Sequence, residues 1–215
     1  MHILFAYAAP AEAGSLSEEA NDAAGSEFAL LGVGKASSSL QLSRRLSREP
    51  RPALVVLFGV CGAHVDGGDA LAVGDICVVG RDCLADEGVQ TEDSFLSLAD
   101  LGLAAATTFE MDEKRTTQAA AMLGNAPIVS GSTVSTCSGN DVMAAARASR
   151  TAAAIETMEG AAVSLVCQEL GFPLVQVRCV SNRTGDRSRA GWDLTRACIN
   201  VQDAVRRLMA AEWQS

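Results

Sequence analysis

AAIETMEGAAVSLVCQELGFPLVQVRCVSN, residues 153–182, is the stretch that decides the fold. Ala153 to Met158 is a short apolar run of strand length, and Glu159 to Leu170 then reads as a helix with Ala162, Leu165, Val166 and Leu170 on one face. Gly171 stands where a left-handed C-cap is expected, and Pro173 just beyond stops the helix. Leu174 to Ser181 reads as a central strand, because continuous apolarity means burial on both faces. Strand, helix and strand in that order predict an α/β sheet that is largely parallel.

The same alternation extends outward in both directions. Upstream, Ile3 to Ala8 and Phe28 to Val33 read as strands, Gly34-Lys35-Ala36 opens a helix, and Leu54 to Val60 is a further continuous apolar run. Leu71 to Gly80 reads as a strand around the Gly74-Asp75 turn, and Ile128 to Ser130 as a strand before the Gly131-Ser132-Thr133 turn. Asn140 to Ser149 is a helix capped near Gly139-Asn140, and Leu194 to Met209 is a final amphipathic helix. Ala85 to Lys114 mixes acids, Gly and scattered apolar residues and gives no firm pattern. The expectation is a single domain over residues 1–215, a three-layer α/β/α arrangement around a central mixed, largely parallel sheet.

Composition supports one compact core. The 215 residues are 48% hydrophobic, 20% charged and 4% aromatic, so the core must be built of Ala, Val, Leu and Ile. A net charge of −9 argues against a nucleic-acid partner, which would need a dense basic face. The seven cysteines form no CxxC pair and no His/Cys cluster at zinc spacing, which suits free thiols in a reducing cytoplasm. No secretory leader is evident, and no apolar segment approaches the roughly 20 residues that cross a bilayer. The reading is a soluble cytoplasmic protein with no metal, no cofactor and no membrane partner.

In an open α/β sheet, ligands bind beyond the carboxyl ends of the strands, and four polar residues stand there: Glu12, Glu159, Ser181 and Asn182. At a strand-to-helix junction the helix N-terminus favours the Glu159 anion, and Gly160-Ala161-Ala162 lets something approach the backbone closely. The plain alternatives are that Glu159 caps its own helix and that Asn182 caps the next loop. Arg178 lies inside the central strand, where a lone charge is costly, so an ion pair with Glu156 or Glu159 is expected. His2 and His64 are the only histidines, too little material for a Ser-His or Cys-His nucleophile. Gly32-Val33-Gly34 lacks the third Gly and the ribose-binding acid of a dinucleotide fingerprint.

Read together, Thr157-Met158-Glu159-Gly160-Ala161-Ala162 and the strand Val175 to Asn182 resemble the signature of the nucleoside phosphorylase and nucleosidase family. The resemblance also takes in Glu12, the Gly32-Val33-Gly34-Lys35 loop, Gly59-Val60-Cys61-Gly62-Ala63 and the Gly74-Asp75 turn. It implies that Met158 and Glu159 hold a ribose, that Ser181 and Asn182 meet a purine, that Cys61 and Gly62 lie against substrate, and that Glu12 activates water. Val134 and Ser135 align with the family's base-stacking loop, an aliphatic residue replacing the usual aromatic. Where phosphorylases carry Arg and Ser for phosphate this chain has Leu57 and Val60, so water is the implied nucleophile. Asn182 replaces the Asp of adenine-releasing nucleosidases, and its amide offers a donor and an acceptor to a 6-oxopurine.

Arg183-Thr184-Gly185-Asp186-Arg187 and Trp192-Asp193-Leu194 resemble the futalosine-hydrolysing branch of that family. That resemblance implies release of hypoxanthine from futalosine in the alternative menaquinone pathway, in a homo-oligomer, with Arg183 or Arg187 pairing the substrate's benzoate. The competing readings are a methylthioadenosine/S-adenosylhomocysteine nucleosidase, disfavoured by Asn182 and the Arg-rich loop, a phosphorylase, and a silent nucleoside binder. Possession of both Glu12 and Glu159 argues against the last.

Overall fold

Ten strands and seven helices alternate along residues 1–19, 25–64, 71–104, 106–186 and 191–213, which the computed structural model describes. In chain order they are β1 (Ile3–Tyr7), α1 (Pro10–Ala13), α2 (Leu16–Glu19), β2 (Ser26–Leu30), α3 (Lys35–Leu46), β3 (Leu54–Ala63) and β4 (Ile76–Leu84). Then come β5 (Gly88–Gln90), β6 (Phe95–Ser97), β7 (Thr108–Glu110), α4 (Glu113–Met122), β8 (Ile128–Thr133), α5 (Asp141–Thr151), β9 (Ile155–Thr157), α6 (Gly160–Leu170), β10 (Leu174–Arg183) and α7 (Leu194–Ala210).

The main sheet has the order β10-β4-β8-β9-β3-β1-β2, with β7 on the side of β4. Five of its pairings are parallel and three antiparallel, the mixed and largely parallel sheet that the apolar runs predict. One face packs on α7 through Ala197, Val201, Ala204, Val205 and Leu208, a stripe at helical spacing, with Ala119, Ala120 and Leu123 from α4 and its C-cap beside it. The other face packs on Leu42 and Leu46 of α3 and on Ala161, Val163 and Cys167 of α6. Strands covered on both sides need apolar residues at every position, and β1 is buried along its whole length.

The sheet also does something the strand pattern does not announce. β10 pairs with both β3 and β4, so β3, β10, β4, β8 and β9 close into a ring. Register shifts between Val180 and Asn182 in β10, and between Val79 and Arg81 in β4, supply the bend. Closure matters because it brings the ends of strands distant in sequence to one rim.

Some expected elements move. Leu71 to Val73 are not strand: Gly74 takes a positive φ of 97°, Asp75 Oδ2 accepts from Ala72 N at 2.8 Å, and β4 starts only at Ile76. Ala85 to Lys114 holds the β5–β6 hairpin and β7, each three residues long, too short for periodicity to reveal; α4 then begins at an Asp112 cap. The apolar face of α6 is also different from the expected one. Leu165 and Leu170 are exposed, while Gly160, Val163, Ser164 and Cys167 are buried. The helix lies so close to the sheet that small residues must face it.

Gly160 marks the closest point, where a Cβ would sit 2.0 Å from Asp82 Oδ2 and 2.7 Å from Gln176 Oε1. Gly160→Ala is therefore expected to cost about 1–3 kcal/mol in urea unfolding, the range of overpacked cores. Leu165→Ala, on the outer face, should stay within about 0.5–1 kcal/mol. Equal losses from the two would contradict this placement of the helix.

Candidate active site

The rim of the ring surrounds a cavity of about 360 Å³. Each strand that reaches it contributes residues at or just past its carboxyl end: Val60, Cys61 and Gly62 from β3, Met158 and Glu159 after β9, Ser181, Asn182 and Arg183 from β10. Glu159 does not cap its own helix. Its Oε1 accepts from Gly34 N at 2.9 Å, and its Oε2 lies 4.0 Å from Arg178 Nη1. Burial pushes the Glu159 carboxyl up, the Arg178 charge and the Gly34 N–H pull it back, and the neighbouring Glu12 charge raises it again.

Glu12 stands beside this pair without lining the cavity itself. It is the third residue of α1, behind Pro10, and its Oε2 accepts from Ala8 N and Ala9 N at 2.9 Å each. Its Oε1 accepts from Val60 N, also at 2.9 Å, which ties α1 to the cavity wall. Gly59 makes room: a Cβ there would lie 2.3 Å from Glu12 Oε1 and 3.0 Å from Arg178 Nη1. Of four carboxylate acceptor sites, three face backbone N–H groups and one is left toward Gly59 and Arg178.

Arg178 is fully buried on β10, and its partner is Glu159. The other candidate, Glu156, is engaged elsewhere: its Oε2 lies 3.2 Å from Arg147 Nη1 and accepts from Ser138 Oγ at 2.6 Å. At the base of β10's end, Ser181 Oγ lies 3.1 Å from Cys61 O and 2.8 Å from Asn182 Oδ1, while Asn182 Nδ2 donates to Arg183 O at 2.8 Å.

Val134 and Ser135 are not brought to the cavity. Val134 is fully buried with its N–H on Thr157 O, and Ser135 N donates to Asp86 Oδ2 at 2.7 Å. Asp86 is itself held by Lys35 Nζ at 2.7 Å, and this clamp turns the segment so that Cys137 and Ser138, further along, form the lining. Arg183 reaches the cavity and is exposed; Arg187 lies outside the described residues. His64, in the loop just past β3, is buried, with Thr184 Oγ1 at 2.9 Å and Ser132 Oγ at 3.3 Å, and burial holds its pKa down. Among the described residues no group of three His, Cys, Asp or Glu could hold a metal ion, and no helix is long and apolar enough to cross a membrane.

The chain matches the phosphorylase superfamily over residues 28–211. It belongs to that superfamily. It is 33% identical to the futalosine hydrolase of Thermus thermophilus over 189 residues, covering 84% of this chain and 80% of that protein. It is 32% identical to the futalosine hydrolase of Acidothermus cellulolyticus, covering 86% of this chain and 75% of that one. The fold is shared with a methylthioadenosine/S-adenosylhomocysteine nucleosidase of Streptococcus pneumoniae solved with 8-aminoadenine, at a TM-score of 0.81, 20% identity and coverage of 98% and 100%.

Sequence reasoning missed Asp82. It is fully buried on β4, its Oδ1 accepts from Thr133 Oγ1 at 2.9 Å, and Thr133 Oγ1 in turn accepts from Ala161 N at 2.8 Å in the first turn of α6. Asp82 follows the exposed Arg81 just past Gly80, where the expected strand ends, so no local pattern marked it as buried. Burial raises its pKa to about 6, against the pull of Thr133 and Arg178. A carboxyl raised in the fold contributes stability that is complete below its ordinary value near 3.8 and is lost as pH rises through about 6. Asp82→Asn removes that titration, so the stability of the native chain relative to the variant should fall by about 2 kcal/mol between pH 4 and 7. Parallel stability curves in urea over that range would show that Asp82 titrates normally.

Proposed function

We propose that this chain is a nucleosidase that hydrolyses the N-glycosidic bond of futalosine, releasing hypoxanthine and dehypoxanthine futalosine for menaquinone synthesis. The observation that carries the reading is the pair of buried carboxylates, Glu12 and Glu159, flanking one guanidinium beside a cavity of nucleoside size. Similarity to futalosine hydrolases over most of the chain supports the choice of substrate.

Cleaving an N-glycosidic bond leaves positive charge on the ribose and negative charge on the departing base, as in glycoside hydrolysis. Glu159, fixed by Gly34 and Arg178, accepts from ribose hydroxyls, and its charge lies near the developing cation. Met158 packs on the sugar. Glu12 orients water and takes its proton through the carboxylate site that its three backbone donors leave open. Ser181 and Asn182 stabilise the departing base; Asn182 exchanges its bond to Arg183 O for one to the purine. Water is the nucleophile on this reading because Leu57, at a position used for phosphate in phosphorylases, is fully buried in the apolar core.

Arg183 at the exposed rim pairs with the substrate's benzoate. Two coarser expectations belong to the same proposal: the reaction is cytoplasmic, and a second copy of the chain covers the mouth. Val33, which lines the cavity yet is 57% exposed, supports the second.

Incubation with futalosine, inosine and methylthioadenosine, with and without phosphate, should release hypoxanthine from futalosine without phosphate. Adenine release from methylthioadenosine at a higher rate would overturn the substrate assignment. Glu12→Gln should lose about 10²–10⁴-fold in kcat, the usual worth of a positioned base, with KM little changed; near-normal kcat would sink that role. Arg183→Gln should raise KM for futalosine about tenfold more than KM for inosine, an ion-pair's worth of binding, and equal effects on both would remove Arg183 from benzoate recognition.

A further inference from the structure

The strands at the mouth of the ring place three residues in one cross-strand row. Asn182 of β10 pairs with Gly62 of β3, and Gly62 pairs with Glu156 of β9. Residues in register on neighbouring strands project from the same face, and all three line the cavity. Two strand spacings put the Asn182 and Glu156 backbones about 9–10 Å apart, and Gly62 between them contributes no side chain of its own. A Cβ on Gly62 would lie 3.3 Å from Asn182 Nδ2 and 2.8 Å from Thr184 Cγ2, so the bare glycine lets the Asn182 amide and the Thr184 methyl together form the wall that faces Glu156.

The second wall is built as carefully as the first. Glu156 is 6% exposed; its Oε1 accepts from Ser138 N at 2.8 Å, and its Oε2 from Ser138 Oγ and Arg147 Nη1. Arg147, also buried, supplies the counter-charge from α5. Three of the four carboxylate acceptor sites are filled, and one on Oε1 remains. A carboxylate fixed in this way offers an incoming ring an acceptor and nothing else.

We propose that Glu156 is the specificity-determining residue of the base slot, accepting the ring N1–H of a 6-oxopurine while Asn182 addresses its opposite edge. This deepens the proposed function and rests on it. A 6-oxopurine carries a proton on N1; a 6-aminopurine carries a lone pair there. Facing Glu156, that lone pair meets a carboxylate with no proton between them, and the buried acceptor goes unsatisfied.

The test uses free bases and calorimetry on the unaltered protein. Hypoxanthine should bind at least about 100-fold more tightly than adenine or 1-methylhypoxanthine, since a site built around one hydrogen bond rejects analogues lacking it by large factors. Binding of hypoxanthine and 1-methylhypoxanthine within about threefold of each other, or no hypoxanthine binding at all, would overturn the inference, whatever becomes of any variant. Glu156→Gln, checked for a native circular dichroism spectrum, should weaken hypoxanthine about 10–100-fold and narrow its margin over adenine, because an amide can present a donor to N1 as readily as an acceptor. Equal weakening of both bases would overturn it. The functional reading fails separately: futalosine cleaved without N1 discrimination contradicts only the role of Glu156, and N1 discrimination without futalosine cleavage supports that role and contradicts only the substrate.

Discussion

A guanidinium with no solvent exposure on the central strand is the constraint on which the site depends. Arg178 cannot be hydrated, so the fold must bring carboxylates to it, and removing any partner would leave a buried charge at a cost of several kcal/mol. Glu159 answers from the end of β9, Glu12 from α1 and Asp82 from β4. These three elements are far apart in sequence and adjacent only because the sheet closes on itself. Arg178 thus converts a topological fact, the closed ring, into an electrostatic one: three buried acids gathered around one guanidinium.

Absent side chains make that cluster possible. Gly59 leaves space for Glu12 and the Arg178 guanidinium, and Gly160 leaves space for Asp82 and Gln176 under the first turn of α6. Because Asp82 reaches Ala161 N through Thr133, the same polar chain that sits near Arg178 also holds the turn carrying Met158 and Glu159. Stability and chemistry share parts here. The small-residue face of α6 is a packing requirement and at the same time the reason Glu159 projects across to Gly34 instead of folding back on its own helix.

Much of this was legible in the sequence. The apolar runs gave the strands, Gly171 and Asn140 gave helix ends where the structure has an αL cap at φ 72° and a side-chain cap to Met143 N, and an ion pair of Arg178 with Glu159 was one of two expected. Ring closure was not legible, because hydrophobic periodicity says which residues are buried and nothing about which strands pair. Asp82 went unnoticed for a related reason: its importance lies in what it meets from β8, β10 and α6. Val134 and Ser135 were expected at the base, yet the Lys35–Asp86 clamp, a contact across fifty residues of chain, moves Cys137 and Ser138 there instead. Local patterns mark the strand ends; long-range contacts decide which side chains face the cavity.

Whether the glycosyl group passes to water or to phosphate is decided by following the sugar product by phosphorus and proton NMR while futalosine turns over in saturating phosphate. A free reducing sugar with no new phosphate ester is the predicted result. A sugar 1-phosphate, formed in step with hypoxanthine, would contradict it.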